Sequence, residues 1–189
     1  ALLAHGHDAV GNLLLGDAAR QAYLSQPMPQ AVAVADKGDA YARMAQQAID
    51  GDIAASSAAG EQPKFTAYAH TPLGARHVLV KFSLQGDNPV TRRWRDLLLA
   101  EHHALQTLHD ASMASAKSWV HDHEGQRFLE VERFDRVDAT GRRGLITLAS
   151  LDAEFVGKAR EPWPVLVAEL VRLQVVQAQA SLEAQALYA

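Results

Sequence analysis

Two stretches alternate between apolar and polar positions with a period of two: "KFTAYAH" from Lys64 and "HVLVKFS" from His77, joined by the turn "TPLG". That period marks half-buried strands, so the pair predicts a β-hairpin. A second pair, "KSWVHD" and "QRFLEVERF", alternates in the same way around the tight turn "HDHEG" and Gly125. Between the two hairpins the period changes. From Thr91 to Ala111, Trp94, Leu98, Leu105 and Leu108 recur at helical spacing and define one apolar face, with Thr91 expected as the cap.

Two charged residues interrupt these patterns. Lys81 stands inside the apolar run of its strand, and Glu101 fills the gap in the helix stripe between Leu98 and Leu105. A lysine can lay its stem on apolar surface and keep its ammonium in water, and a glutamate can sit at the edge of a stripe. Alternatively the two meet, because a charge taken out of water needs an opposite charge beside it. The pattern leaves both readings open.

The remaining segments are less regular. Residues 8 to 16, "DAVGNLLLG", read as the last strand or hairpin of a small β element closed by Gly16, followed by a polar loop with Pro27 and Pro29. A helix is expected over Asp39 to Ile49, and a flexible stretch of small residues, "GDIAASSAAGEQPKF", leads into the first strand. From Trp163 the chain reads as one helix to the end, with no glycine or basic last turn after Leu187 and Tyr188. The expectation is therefore a chain that continues into further structure, with the apolar stripe Val165 to Leu173 available for self-association.

Composition narrows the class. The 189 residues, 48% hydrophobic and 21% charged, suit one domain or two small ones. No apolar run approaches the roughly 18 residues of a membrane helix, so no membrane partner is expected and the location is read as cytoplasmic. The absence of cysteine excludes disulfides and thiolate metal sites. The net charge is -4, but residues 64 to 143 carry 12 basic and 10 acidic side chains while both flanks are acidic. Direct nucleic-acid binding is not expected; an anionic ligand in the middle is compatible.

A small-residue loop, then a strand lysine, then a helix glutamate is an order that suits a nucleotide. Small residues let backbone N–H groups approach phosphates, the lysine neutralises them, and the glutamate holds the lysine. The loop "SSAAGEQPK" has one glycine and is neither a Walker loop nor G-x-G-x-x-G. The histidine pairs "HGHD" and "HDHE" lack H-E-x-x-H spacing, so no metal site is expected, and no G-x-S-x-G elbow occurs. Arg133, Asp135 and Arg136 read as a structural charge cluster, and Arg142 and Arg143 as a solvated hairpin tip.

The words "AAGEQPKF", "VLVKFS", "RWRDLLLAEHHAL", "RFLEVERFDRV" and "GRRG", in this order, resemble the HipA family of bacterial serine/threonine kinases, the toxins of toxin–antitoxin pairs. The resemblance runs from about Val10 to Trp163 and is most specific in "GEQPKF" and "VERFDR". It implies an α+β fold: a protein-kinase-like N-lobe, an antiparallel sheet with a helix, preceded by a small β subdomain and followed by the first helices of a truncated C-lobe. The corresponding limits are 1–36, 37–160 and 161–189. It implies ATP as ligand, with Ala59, Gly60, Glu61, Gln62, Pro63 and Lys64 as the phosphate loop, Lys81 as the ATP-contacting lysine and Glu101 as its partner. Glu132 and Phe134 would lie where the strand enters the adenine hinge, recognising the base through backbone groups. Ser57 matches the serine that family members autophosphorylate.

The resemblance also implies a protein substrate, a DNA-binding antitoxin as a possible partner, and Mg2+ in the complete protein. Phosphoryl transfer needs an aspartate base and metal-holding aspartate and asparagine. No Asp-x-x-x-x-Asn or Asp-Phe-Gly-like segment follows Glu132, so the base is expected beyond Ala189 and the chain alone is expected to be inactive. The alternative is a non-catalytic module that acts through antitoxin or other protein contacts.

Overall fold

The alternation of the four runs is realised as a single antiparallel sheet in the order β1-β2-β4-β3. Its strands are β1 (Lys64–Thr71), β2 (Gly74–Phe82), β3 (Ser118–His123) and β4 (Gln126–Glu132). The computed structural model describes residues 8–51 and 62–188, so Ser57 and the loop residues Ala59, Gly60 and Glu61 lie outside the described residues. The chain divides into two units, Ala1–Leu108 with Ser115–Gly144, and His109–Ala114 with Leu145–Ala189.

Register decides which side chains share a face. Phe65 pairs with Val80 and Val80 with Glu130, while Phe82 pairs with Phe128. Phe65, Val80, Phe82 and Phe128, with Ala67, Ala69 and Val78, form a buried core. Among the described residues two helices precede the sheet, α1 (Asp17–Ser25) and α2 (Lys37–Asp50), and α2 completes the core with Tyr41, Ala45 and Ala48. Tyr41 packs edge-on to Phe65 at 5.5 Å and tilted to Phe128 at 5.7 Å. Aromatic pairs in these orientations add to the area they bury. The opposite face carries Lys64, Leu79, Lys81 and Leu129, because side chains alternate along each strand.

One acid sits in the core. Glu130 is fully buried on the aromatic face. Its Oε1 accepts from Tyr41 Oη, lies 2.6 Å from Lys37 Nζ, and is 3.2 Å from His121 Nε2. Burial pushes the Glu130 pKa up, but the hydrogen bonds from His121, Lys37 and Tyr41 outweigh it and hold the carboxyl below its ordinary value. The same burial and the same carboxylate drive the Tyr41 hydroxyl far above its usual range. Nearby, His123 meets Asp39 at 3.1 Å, and a side chain at Gly38 would strike the His123 ring. Both histidines of "HDHEG" thus pin the first turn of α2 to β3.

Helix α3 (Pro89–Asp110) buries Leu98 fully and turns Trp94, Leu105 and Leu108 inward in part. Its cap is Asn88, not Thr91. Asn88 Oδ1 accepts from the backbone N–H of Val90 and Thr91, while the Thr91 hydroxyl is buried in the first turn and bonds Gly86 and Asn88. Asparagine caps better than threonine, and the chain takes the better acceptor.

Three further expectations are corrected. Residues 8 to 16 form no strand, and the described residues before β1 hold α1, a 3-10 turn (Val34–Asp36) and one parallel bridge, Val32 to Ala69, in place of a small β subdomain. The segment is held by side chains, since Asp8 pairs with Arg133 and Arg136 and accepts from the Thr66 hydroxyl of β1. Next, of the two "GRRG" arginines Arg143 is exposed as expected but Arg142 is not. Arg142 lies within a two-rung hairpin of β5 (Arg136–Val137) and β6 (Gly141–Arg142), opposite Arg136, and its side chain is only 9% exposed. Gly141 permits that closeness, because a Cβ there would lie 2.7 Å from the Val137 carbonyl oxygen.

Last, the terminal helix is broken. In the second unit a short helix α4 (Leu148–Leu151), capped by Thr147, runs on as a π-turn (Asp152–Val156) to Gly157. Then α5 (Trp163–Arg172) and α6 (Gln179–Tyr188) are separated where Gln174 takes a left-handed backbone and Val175 and Val176 come next. β-branched neighbours resist continuing a helix past such a residue. Leu166, Val167 and Leu170 are buried within α5, whereas Val165 and Leu173 are exposed.

Lys37→Met removes one countercharge from a buried carboxylate and should cost about 3–5 kcal/mol at neutral pH in urea unfolding. The sign of its pH dependence is fixed. A carboxyl with a depressed folded pKa contributes stability above the ordinary value of 4.5 and loses it as pH falls through the depressed one. The gap between parent and variant should therefore narrow as pH falls below 4.5 and through the depressed value. A gap that stays constant over that range contradicts this ion pair.

Candidate functional site

β2 and α3 bring the two interrupting charges together. Alternation along β2 sends Val78, Val80 and Phe82 to the aromatic face and leaves Lys81 on the other. Leu98 seats α3 on that other face, and one helical turn later Glu101 arrives over the strand. Lys81 Nζ donates to both carboxylate oxygens of Glu101, at 2.6 Å and 2.9 Å. The pair is open on one side: the Lys81 side chain is 23% exposed and that of Glu101 34%. A fixed but reachable ammonium can still take an anionic ligand with its remaining N–H direction.

Lys64 stands directly across β1 from Lys81 in register. Burial, then the Lys81 cation, lower the Lys64 pKa, and Glu101 opposes them only in part. Two lysines on adjacent strands repel, so an anion between them would relieve both. Beside them, the buried amide nitrogen of Gln62 has no hydrogen-bond partner among the described residues. Buried donors without acceptors cost free energy, and they concentrate where a ligand completes the set. Pro63 carries the chain from Gln62 into β1, and its carbonyl accepts from the backbone N–H of Phe82.

The exit of β4 is built differently. Glu132 pairs with Val78, so its side chain lies on the aromatic side, where Arg76 Nε reaches it at 3.4 Å. Its register position is three residues along the strand from that opposite Lys81. Glu132 can therefore face the Lys81 side only through its backbone. Phe134, two residues on, is 65% exposed. Between them, the Arg133 backbone N–H donates to the His77 carbonyl, which fixes the chain as it leaves the sheet.

The segment just after β4 holds the densest charge network. Arg133 Nη1 donates to both oxygens of Asp8 at 3.0 Å and 3.1 Å, and Arg133 also forks onto Asp135. Arg136 bridges Asp8 at 2.6 Å and Asp135 at 2.6 Å, and Asp135 also accepts from the backbone N–H of Gly11. Burial raises the pKa of Asp8 and of Asp135, yet the guanidiniums prevail and both are held below the usual carboxylate range. The cluster that sequence marks as structural is indeed so, and its partner Asp8 carries no signal in the sequence pattern. Glu130 does carry one: it occupies a core-facing parity of β4, two residues from Phe128.

Among the described residues no group of three or more histidine, cysteine or acidic side chains is arranged to hold a metal, and no helix is long and apolar enough to cross a membrane. His102 Nδ1 instead bonds the Ser118 hydroxyl at 2.9 Å.

Comparison with known proteins agrees with the resemblance. A family model, the HipA-like C-terminal domain, matches residues 56–178. Toxin YjjJ of Escherichia coli (strain K12) is 36% identical over 190 residues, covering the whole of this chain and 43% of that protein's length. No solved structure matches. With the family model spanning well over half of the chain, including the Lys81 strand and the Glu101 helix, this protein belongs to the HipA family.

Proposed function

We propose that this chain is the ATP-binding portion of a HipA-like serine/threonine protein kinase, toxin of a toxin–antitoxin pair, whose complete form transfers the γ-phosphoryl group of ATP to a cytoplasmic protein. The single observation that carries the reading is the bidentate Lys81–Glu101 pair with Lys64 beside it on the open face of the sheet. In phosphoryl transfer the protein contributes mainly positioning and charge. Lys81 supplies the charge to the phosphates, Glu101 fixes where that charge stands, and Lys64 and the Gln62 amide extend the anion-facing surface.

The adenine belongs by this reading at the exit of β4, against backbone of Glu132 and Phe134. Mg2+ would be bound with the phosphates in the complete protein by acidic and amide groups outside this chain, together with the catalytic base. The Lys81–Glu101 pair does not itself move a proton. It holds a nucleotide in place for groups that do.

With the protein at its full encoded length, ATP with Mg2+ should raise the melting temperature, and Lys81→Ala should abolish the rise. A rise of equal size in the variant removes Lys81 from the site. Lys64 gives a pH test. Because its folded pKa is depressed, it loses its proton below the ordinary lysine value of 10.5, and ATP affinity should begin to weaken there as pH rises. Lys64→Gln should bind more weakly at neutral pH and show a flat profile across that interval; an unchanged profile in the variant means that Lys64 does not face the phosphates.

A further inference from the structure

We propose a second binding site, independent of the nucleotide reading: the cavity behind the exit of β4 takes a phosphate group. The cavity encloses about 330 Å³, and all of its lining belongs to the first of the two units. That volume is at the small end for ligand pockets and suits a compact headgroup. Two of its residues lie in the sheet, Arg76 and Glu132, and both have the parity of Val78, which points to the aromatic face. Lys81 has the other parity, so this cavity is not the lysine site.

Charge decides the ligand's sign. Five cationic and two acidic side chains line the cavity. Arg133 and Arg136 are matched behind the wall by Asp8 and Asp135, two charges against two. Arg76 reaches Glu132 at 3.4 Å. Lys117 and Arg143 remain, both exposed, and neither has a carboxylate within ion-pair distance among the described residues. Asp138 is the one acid left on the described lining to oppose them. The open part of the cavity is therefore net positive and attracts an anion.

Geometry selects phosphate among anions. The cations that border open space come from three segments: Arg76 from β2, Lys117 from the approach to β3, and Arg143 from the residue after β6. A carboxylate accepts hydrogen bonds in one plane, whereas a phosphate monoester presents three oxygens and about two negative charges at neutral pH. The backbone under two of these cations is already fixed. The Lys117 carbonyl accepts from the Glu132 N–H at 2.8 Å, and the Arg143 N–H donates to the Asp135 carbonyl at 3.0 Å. Binding then has only side chains to order, which keeps its entropic cost low. Phe134, 65% exposed on the same lining, offers apolar surface to whatever carries the phosphate.

The test uses the full-length protein carrying Lys81→Ala, which removes the ammonium of the nucleotide site. It is titrated calorimetrically with inorganic phosphate, acetate, and a short glycine–serine peptide in phosphorylated and unphosphorylated form. Phosphate and the phosphopeptide should bind, and acetate and the unphosphorylated peptide should not. A phosphopeptide that binds more tightly than phosphate assigns the site to a phosphorylated protein segment, equal affinity assigns it to the free anion, and either result upholds it. Lys117→Met and Arg143→Met should each weaken binding at least about tenfold. Both side chains are exposed, so neither variant should disturb the fold. No response to phosphate or phosphopeptide, acetate bound as tightly as phosphate, or parental affinity in either variant overturns the proposal.

Discussion

A lysine whose ammonium is gripped by both oxygens of a glutamate ties the centre of the sheet to the middle of the long helix. The pair fixes α3 in rotation as well as position, since one residue to either side on the helix would point the carboxylate away from β2. Leu98, fully buried one turn earlier, supplies the seat, and Glu101 supplies the direction. The strands after α3 inherit that placement. β4 pairs with β2 and β3 with β4, and the chain leaves β4 held by the Arg133 backbone to the His77 carbonyl.

The sheet handles charge in opposite ways on its two faces. On the aromatic face Glu130 is sealed from water, with Lys37, Tyr41 and His121 all gathered on its Oε1 and no hydrogen-bond partner on Oε2 among the described residues. On the other face the Lys81–Glu101 pair is part-exposed, with the buried Lys64 across the strand from it. A sealed network stabilises or destabilises the fold depending on its completeness. An open one with the same residue types is a place where a ligand changes the energy. The exposure of the Lys81–Glu101 pair, against the full burial of Glu130, is the reason the proposal puts the nucleotide at Lys81.

Much of this was legible in the sequence because it is periodic. The four strands follow from alternation, the helix from its stripe, and Glu101 from a gap in that stripe; the meeting of Lys81 with Glu101 was one of two readings, and the structure selects it. The parts that escaped are held by long-range charge or by local backbone choice. Asp8 belongs to an irregular segment whose partners lie more than 120 residues away, at Arg133 and Arg136, so no local pattern reports it. α1 was missed because proline-bounded polar sequence reads as loop. The break after α5 depends on Gln174 adopting a left-handed backbone, which helical composition on both sides conceals. The small-residue loop around Gly60 and Ser57 lies outside the described residues, and its role rests on the resemblance.

The central claim is that Lys81 and Glu101 act on the nucleotide as one unit. A double-mutant cycle on ATP affinity, measured calorimetrically for the full-length protein, Lys81→Met, Glu101→Gln and the double variant, tests it most directly. The account predicts strong non-additivity: once Lys81 is gone, removing the Glu101 charge should change the affinity little further. Full additivity of the two losses would show that the two side chains act on the ligand separately, and would contradict the account.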